Sequence, residues 1–209
     1  MLVSEWMTKD PRVVSSKTPI MEAMQMMRSG GYRRLPVVDG GALVGIVTDR
    51  DLRDATPSQA TSLSVYELNY LLSKLSLKEV MQSAPITVSP DDPVERAALL
   101  MEEHKISGLP VVEHERVVGI FTITDMLRAF VTGLGLREGG TRVTAELPDE
   151  PGVLARVANA GPPSNIVAVM TSGRTKGERR KLVLRVVGDD AEGYPERLRA
   201  DGIDVSDVR

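Results

Sequence analysis

One stretch of this chain is written twice. Met7, Pro11, Val14, Pro19, Ala23 and Met27 return 74 positions later as Met81, Pro85, Val88, Pro93, Ala97 and Met101. Leu35-Pro36-Val37-Val38 returns as Leu109-Pro110-Val111-Val112, and Val44-Gly45-Ile46 as Val118-Gly119-Ile120. Thr48 with Asp51 returns as Thr122 with Asp125 at the same offset, so the copies align without a gap. Solenoids stack several short units. A long unit present only twice reads as two copies that close a core by packing face to face. Such a pair has pseudo-two-fold symmetry and two equivalent clefts, which suits binding before catalysis.

Each copy reads as β-α-β-β-α. A turn (Thr8 to Pro11; Gln82 to Pro85) leads to a short strand at Val13-Val14 or Ile86-Thr87-Val88. A helix follows, with Pro19 or Pro93 expected at its first position after Thr18 or Asp92 as cap, and with Asp92 and Glu95 as a capping box. Leu35–Asp39 and Leu43–Thr48 are strands joined by Gly40-Gly41, a hairpin signal. Their copies are Leu109–Val112 and Val117–Thr122, with Glu113–Arg116 expected as a longer polar turn. A second helix begins at Asp49 or Ile123. Between the copies, Pro57–Ser62 reads as a loop, and Ser64 to Glu67 as a capping box opening a helix with Val65, Leu68, Leu72 and Leu75 on one face. Four methionines on the first helix, Met21, Met24, Met26 and Met27, read as core or adaptable interface.

The rest of the chain is unrelated to the repeat. Gly133-Leu134-Gly135 stops the second copy's last helix, and Arg137–Thr141 reads as a flexible linker. Strands are expected at Arg142–Leu147, Asn165–Thr171, Lys181–Val187 and Ile203–Val208, with helices at Val153–Ala160 and Ala191–Ala200. The order β-α-β-β-α-β is the ferredoxin-like plan. The basic stretch Gly173–Lys181 lies between two strands without aromatic residues and reads as a solvated hairpin rather than an RNA-binding loop.

Composition narrows the chemistry. With 26 basic against 29 acidic residues the net charge is −3, far from the cationic excess that duplex nucleic acid demands. No cysteine is present and only two histidines, His104 and His114, which removes thiolate metal sites, a cysteine nucleophile and most histidine-based sites. Glu5, Asp10, Asp49 and Asp54 show no ligand spacing, so no metal is expected. No apolar run approaches the ~20 residues of a membrane span, and the first ten residues lack a signal-peptide pattern. The expected location is the cytoplasm.

The chemistry sits in Gly45-Ile46-Val47-Thr48-Asp49-Arg50-Asp51 and its copy, Gly119 to Asp125. In each, a strand ends and a helix begins, a place that attracts phosphate. The threonine hydroxyl adds a donor, and the aspartate three residues on can accept two hydrogen bonds from a ribose diol. The same Thr-x-x-Asp is also a plain helix cap. Arg33 and Arg34 are candidate phosphate contacts; their counterparts are Ser107 and Gly108, so the clefts are unequally basic. An arginine fork matches phosphate better than a lysine ammonium does.

The Met-x-x-x-Pro opening, the Leu-Pro-Val-Val strand and the Gly-x-x-Thr-x-x-Asp ending, each present twice, resemble cystathionine-β-synthase (CBS) motifs. Residues 1–132 resemble a tandem CBS pair, with motifs at 1–54 and 77–132 around a linker and helical insert at 55–76. The resemblance implies binding of AMP, ADP or ATP, or sometimes S-adenosylmethionine or NAD, between the motifs. It implies that Asp51 and Asp125 hold riboses and that Thr48 and Thr122 lie near phosphates. It further implies that the strands around Val14 and Val88 offer backbone groups to the base.

After a second linker at 133–140, residues 141–209 resemble an ACT domain through Asp149-Glu150-Pro151-Gly152-Val153-Leu154 and Asn165-Ile166. That resemblance implies an amino-acid site at Asp149, Pro151, Gly152 and Asn165. The short span from Gly152 to Asn165 leaves open an ACT fold that dimerises without a ligand. The whole order resembles the acetoin-utilisation CBS–ACT family. The expectation is therefore a non-catalytic, homodimeric regulator that senses an adenine nucleotide, AMP or ATP foremost, and signals to a protein partner. An enzyme acting on acetoin or a related metabolite, and a structural dimerisation module with empty clefts, are the alternatives.

Overall fold

In a computed structural model, which describes residues 1–56, 70, 74–175 and 179–209, both repeats build their first helix in the same phase. Helix α2 (Ile20–Gly30) buries Ile20, Ala23 and Met27. Its copy α4 (Val94–Glu103) buries Val94, Ala97 and Met101 at the matching positions. This i, i+3, i+7 spacing puts one stripe on the core. Among the methionines, Met27 is buried, Met24 and Met26 pack against the core, and Met21 is exposed. Both helices begin one residue later than the sequence suggests. Pro19 and Pro93 are the caps, with ψ near 143° and 144°, and neither helix has a side-chain cap bond. Asp92 instead accepts from the Ser89 N–H at 2.7 Å and pairs with Arg96 at 2.8 Å.

Strands β2 (Arg34–Asp39) and β3 (Ala42–Thr48) form the first hairpin, and β5 (Gly108–Glu113) and β6 (Arg116–Thr122) the second. Glu113 pairs with Arg116, so the second turn is as tight as the first. The expectation of a longer turn fails because His114 (φ 48°) and Glu115 (φ 65°) adopt the left-handed backbone that Gly40 and Gly41 supply in the first copy. For L-residues that conformation costs roughly 1–2 kcal/mol each.

The leading segments trade places. Strand β1 (Thr8–Lys9) pairs with β6 of the second repeat, and β4 (Gln82–Ser83) pairs with β3 of the first. The short helix α1 (Val3–Trp6) hydrogen-bonds to Asp92 and Pro90, while the 3-10 turn Leu77–Glu79 hydrogen-bonds to Thr18 and Ser16. Leu77 is fully buried in the first repeat's core with Leu35, Val37, Val47 and Leu52. The sheets are thus β2-β3-β4 and β1-β6-β5. The strands expected at Val14 and Val88 are single parallel bridges to Val37 and Val111. The repeat glycines serve this exchange. A Cβ on Gly45 would lie 2.6 Å from Met81 Sδ, and one on Gly119 2.3 Å from Met7 Sδ. Each motif's opening methionine therefore packs on the other motif's glycine.

Helix α3 (Asp49–Asp54) follows β3, and α5 (Ile123–Gly133) follows β6. Loop 57–62 and the expected helix with Ser64, Val65, Glu67, Leu68 and Leu72 lie outside the described residues. Leu75 is described and packs against the first repeat's core. The chain divides into two units, Met1–Leu127 and Arg128–Arg209. No helix among the described residues is long and apolar enough to cross a membrane.

The second unit holds an antiparallel sheet in the order β10-β7-β9-β8, the ferredoxin-like arrangement. Its strands are β7 (Thr141–Pro148), β8 (Asn165–Thr175), β9 (Arg179–Val187) and β10 (Asp204–Val208). Helices α6 (Val153–Asn159) and α7 (Tyr194–Ala200) contribute Val157, Tyr194 and Leu198 to its core, against Val143, Leu182, Leu184 and Val186. The expected linker is held rather than loose: Arg185 Nη1 donates to the Gly139 carbonyl at 2.8 Å. In the basic hairpin, Arg180 pairs with Asp149 at 2.6 Å and Arg179 Nη2 donates to the Glu146 carbonyl at 2.9 Å.

Candidate nucleotide-binding site

Strand β3 ends at Thr48, which is the N-cap of α3. The Thr48 N–H and hydroxyl both donate to Asp51 Oδ2, at 2.8 and 2.7 Å, and the Asp51 N–H donates back to the Thr48 oxygen at 3.3 Å. The plain capping reading is therefore correct for one carboxylate oxygen. Asp51 Oδ1 has no hydrogen-bond partner among the described residues and the half-buried side chain lines a cavity of about 640 Å³. The Thr48 hydroxyl is the group expected near a phosphate. A hydroxyl has one proton, and this one is on Asp51. Thr122 does the same on Asp125 Oδ2, with its N–H at 2.9 Å and its hydroxyl at 2.7 Å.

The cavity joins both repeats. Ile46, Pro85, Ile86, Ile106 and Pro110 give it apolar walls on which a flat base could rest. Arg33, Arg34, Arg50, Arg53 and Lys105 line it too, five cations against the carboxylates of Asp49 and Asp51. Arg53 is paired with Asp49 at 3.0 Å. Arg33, Arg50 and Lys105 make no ion pair among the described residues. An anion entering here meets unspent charge beside an acceptor for a diol.

Val14 and Val88 do not offer their backbone to this cavity. The Val14 N–H donates to the Pro36 carbonyl and its carbonyl accepts from Val38, at 3.1 and 2.8 Å; Val88 is tied to Pro110 and Val112 in the same way. Strand pairing occupies both groups, while Ile86, in the same expected strand as Val88, lines the cavity. Arg50, Arg53, Lys105 and Gln82 were not foreseen. The available signal was loss of symmetry, since Arg50, Arg53 and Lys105 have Thr124, Leu127 and Gly31 as repeat counterparts. Lys105 is the most telling: it keeps the left-handed backbone (φ 54°) that Gly31 adopts at φ 67° in the first copy. Thr122 and Asp125 do not line this cavity. Asp125 is 2 % exposed.

Comparison with known proteins agrees with this frame. The family model of the CBS domain matches residues 3–58 and 77–132. The chain belongs to the CBS-domain family. A second model, the TTHA0829-like ACT domain, matches residues 139–209, so this CBS protein carries a tandem pair followed by an ACT domain. It is 35 % identical over 131 residues to the L-aspartate semialdehyde sulfurtransferase of Methanocaldococcus jannaschii, covering 62 % of this chain and 23 % of that protein. The chain thus spans about a quarter of that relative.

Similar solved structures include the following. The CBS domain pair of protein MJ0100, in complex with 5′-methylthioadenosine and S-adenosyl-L-methionine, is 35 % identical with a TM-score of 0.53, covering 63 % of this chain and 97 % of that one. A putative acetoin utilization protein (AcuB) from Vibrio cholerae is 31 % identical with a TM-score of 0.54, covering 66 % and 96 %. CBSX2 in complex with AMP is 30 % identical with a TM-score of 0.53, covering 63 % and 96 %.

In the ACT domain, a smaller cavity of about 280 Å³ is lined by Asp149, Glu150, Gly152, Leu154, Thr171 and Arg180 among others. Gly152 caps α6 at φ 85°, a turn into the helix that favours glycine. Pro151 and Asn165 do not line this cavity, and both are exposed. The Asp149 carboxylate holds the Arg180 proton more tightly than usual, through a hydrogen bond and charge attraction.

Proposed function

We propose that this CBS–ACT protein is a non-catalytic regulator that binds one anionic adenine nucleotide, AMP or ATP, in the cleft of Thr48 and Asp51. One observation carries the reading: a cavity between the motifs combines apolar walls, a carboxylate oxygen without a partner among the described residues, and five cations. The base would rest on Ile86 and Pro110, the ribose diol on Asp51 Oδ1, and the phosphates on Arg33, Arg50 and Lys105. The AMP complex of CBSX2 supports the ligand class. The cationic lining favours a phosphate over the sulfonium of S-adenosylmethionine. Binding would bias motif–motif or subunit packing in a homodimer read by a protein partner, which requires different affinities in two states. A tie to acetoin or related carbon metabolism rests on the similarity to AcuB. The amino-acid site of the ACT domain is proposed at Asp149 and Gly152, with Pro151 and Asn165 as flanking residues.

Calorimetry with AMP, ATP, adenosine, S-adenosylmethionine and NAD tests the reading. AMP or ATP should bind, and Asp51→Ala should weaken binding at least tenfold by removing charge-assisted acceptors worth roughly 1.5–3 kcal/mol. Arg50→Ala should weaken ATP but leave adenosine almost unchanged. Absence of any nucleotide binding, or wild-type affinity in Asp51→Ala, overturns it.

A further inference from the structure

Arg34 and Gly108 are counterparts in the two repeats, 74 residues apart, and they touch. A position that meets its own counterpart lies beside the pseudo-two-fold axis, so its two residues must fit each other. Arg34 stands at the start of β2 and Gly108 at the start of β5. A Cβ on Gly108 would stand 2.6 Å from Arg34 Cζ and would overlap Nη1. Gly108 does not adopt the left-handed backbone, so what its lack of a side chain provides is room for the guanidinium. Two arginines could not share this place, and two glycines would leave it bare.

The Arg34 side chain also reaches Ser107 of the second repeat, where Nη2 donates to Oγ at 2.8 Å. Arg34, Ser107 and Gly108 all line the cavity that holds Asp51. A guanidinium carries five N–H donors in a rigid planar fork. Ser107 takes one, the only hydrogen bond this fork makes among the described residues. The fork is thus anchored at one corner, with donors left for an anion. A long side chain that a ligand must order on arrival loses rotamer freedom and weakens binding. Arg34 has been ordered beforehand. Burial and then Arg33 lower its proton affinity, while Asp125 raises it, so an arriving negative charge would favour the cation.

We propose that Ser107 and Gly108 of the second repeat hold the Arg34 guanidinium of the first in place for a nucleotide phosphate, so that phosphate selectivity in the Asp51 cavity depends on a contact across the repeat boundary. This rests on the adenine-nucleotide reading of that cavity. Ser107 is a positioning residue: it brings no charge of its own and acts through the arginine.

The test is calorimetry with AMP and adenosine on the full chain. Ser107→Ala should weaken AMP roughly three- to tenfold and adenosine by less. Arg34→Ala should weaken AMP about tenfold or more. The double variant should be no worse than Arg34→Ala, because the serine has nothing left to position. Ser107→Thr keeps the hydroxyl and should bind AMP like wild type. Gly108→Ala keeps every charge but displaces the flexible end of Arg34, so it should weaken AMP more than adenosine. Losses that add in the double variant overturn the proposal, as do equal losses for AMP and adenosine in Ser107→Ala. Wild-type AMP affinity in a folded Arg34→Ala or Gly108→Ala overturns it too. In each of these cases the functional reading stands if Asp51→Ala still weakens AMP. A wild type that binds no adenine nucleotide overturns both.

Discussion

Lys105 holds a left-handed backbone where the other copy has glycine, and it does so on the wall of the cavity. Strain of this kind can be retained where the side chain serves a site. Lys105→Gly should therefore raise stability by roughly 1 kcal/mol and lower the affinity for ATP, a pair of opposite signs that denaturation and calorimetry can read on one sample. His114 and Glu115 carry similar strain in a turn that no proposed ligand contact explains. Replacing them with Asn-Gly, the preferred pair for such a turn, should stabilise by about 1 kcal/mol with no change in binding. Tyr194 makes a different prediction. It is fully buried and its hydroxyl donates to the Val157 carbonyl at 2.8 Å. Burial pushes its pKa from 10.0 up to about 12. The folded state then keeps the proton longer than the unfolded chain, so the stabilisation is complete below pH 10 and fades as pH rises toward 12. Tyr194→Phe should cost about 1–3 kcal/mol near neutrality. Wild type's advantage should shrink between pH 10 and 12 in denaturation curves taken across that range. Asp51 was legible at this scale because its motif recurs. Lys105 and Arg50 were not, because repeats draw the eye to what is shared, and these residues matter by differing.

Helices α2 and α4, the two hairpins and the whole β-α-β-β-α-β plan of the ACT domain carry their own local signals, so residue spacing announced them. Strands β1 and β4 did not. Each is two residues long and its partner lies in the other copy, so no periodicity along the chain can mark it. The same long-range exchange hid the role of Gly45 and Gly119, which the sequence groups with the phosphate motif and the structure assigns to packing under Met81 and Met7. Gly45→Ala should cost about 1–3 kcal/mol through overpacking. Met81→Ala removes the nearest clash, so the double variant should be less destabilised than the two single costs together. Chemical denaturation of the three variants checks both statements; a neutral Gly45→Ala would show that this contact relaxes freely.

For the tandem pair as a whole, the exchange makes the repeats mutually dependent. Deleting residues 1–10 takes β1 and α1 away from the second repeat, not the first, and leaves the edge of β6 uncovered. Limited proteolysis of that deletion should cut first within residues 85–122 rather than within residues 11–56. Initial cleavage in the first repeat would contradict the assignment. A bound nucleotide at 100 times its dissociation constant should add about 2.7 kcal/mol to the stability of the intact pair. The exchange also bears on what one copy could do alone. A solitary copy of the repeat would start with a strand that its own hairpin does not use and would end before the strand that its hairpin needs. Two such molecules could satisfy each other by lending their leading segments reciprocally. Within this chain the same reciprocal loan is made between two halves of one molecule, so neither half is structurally self-sufficient.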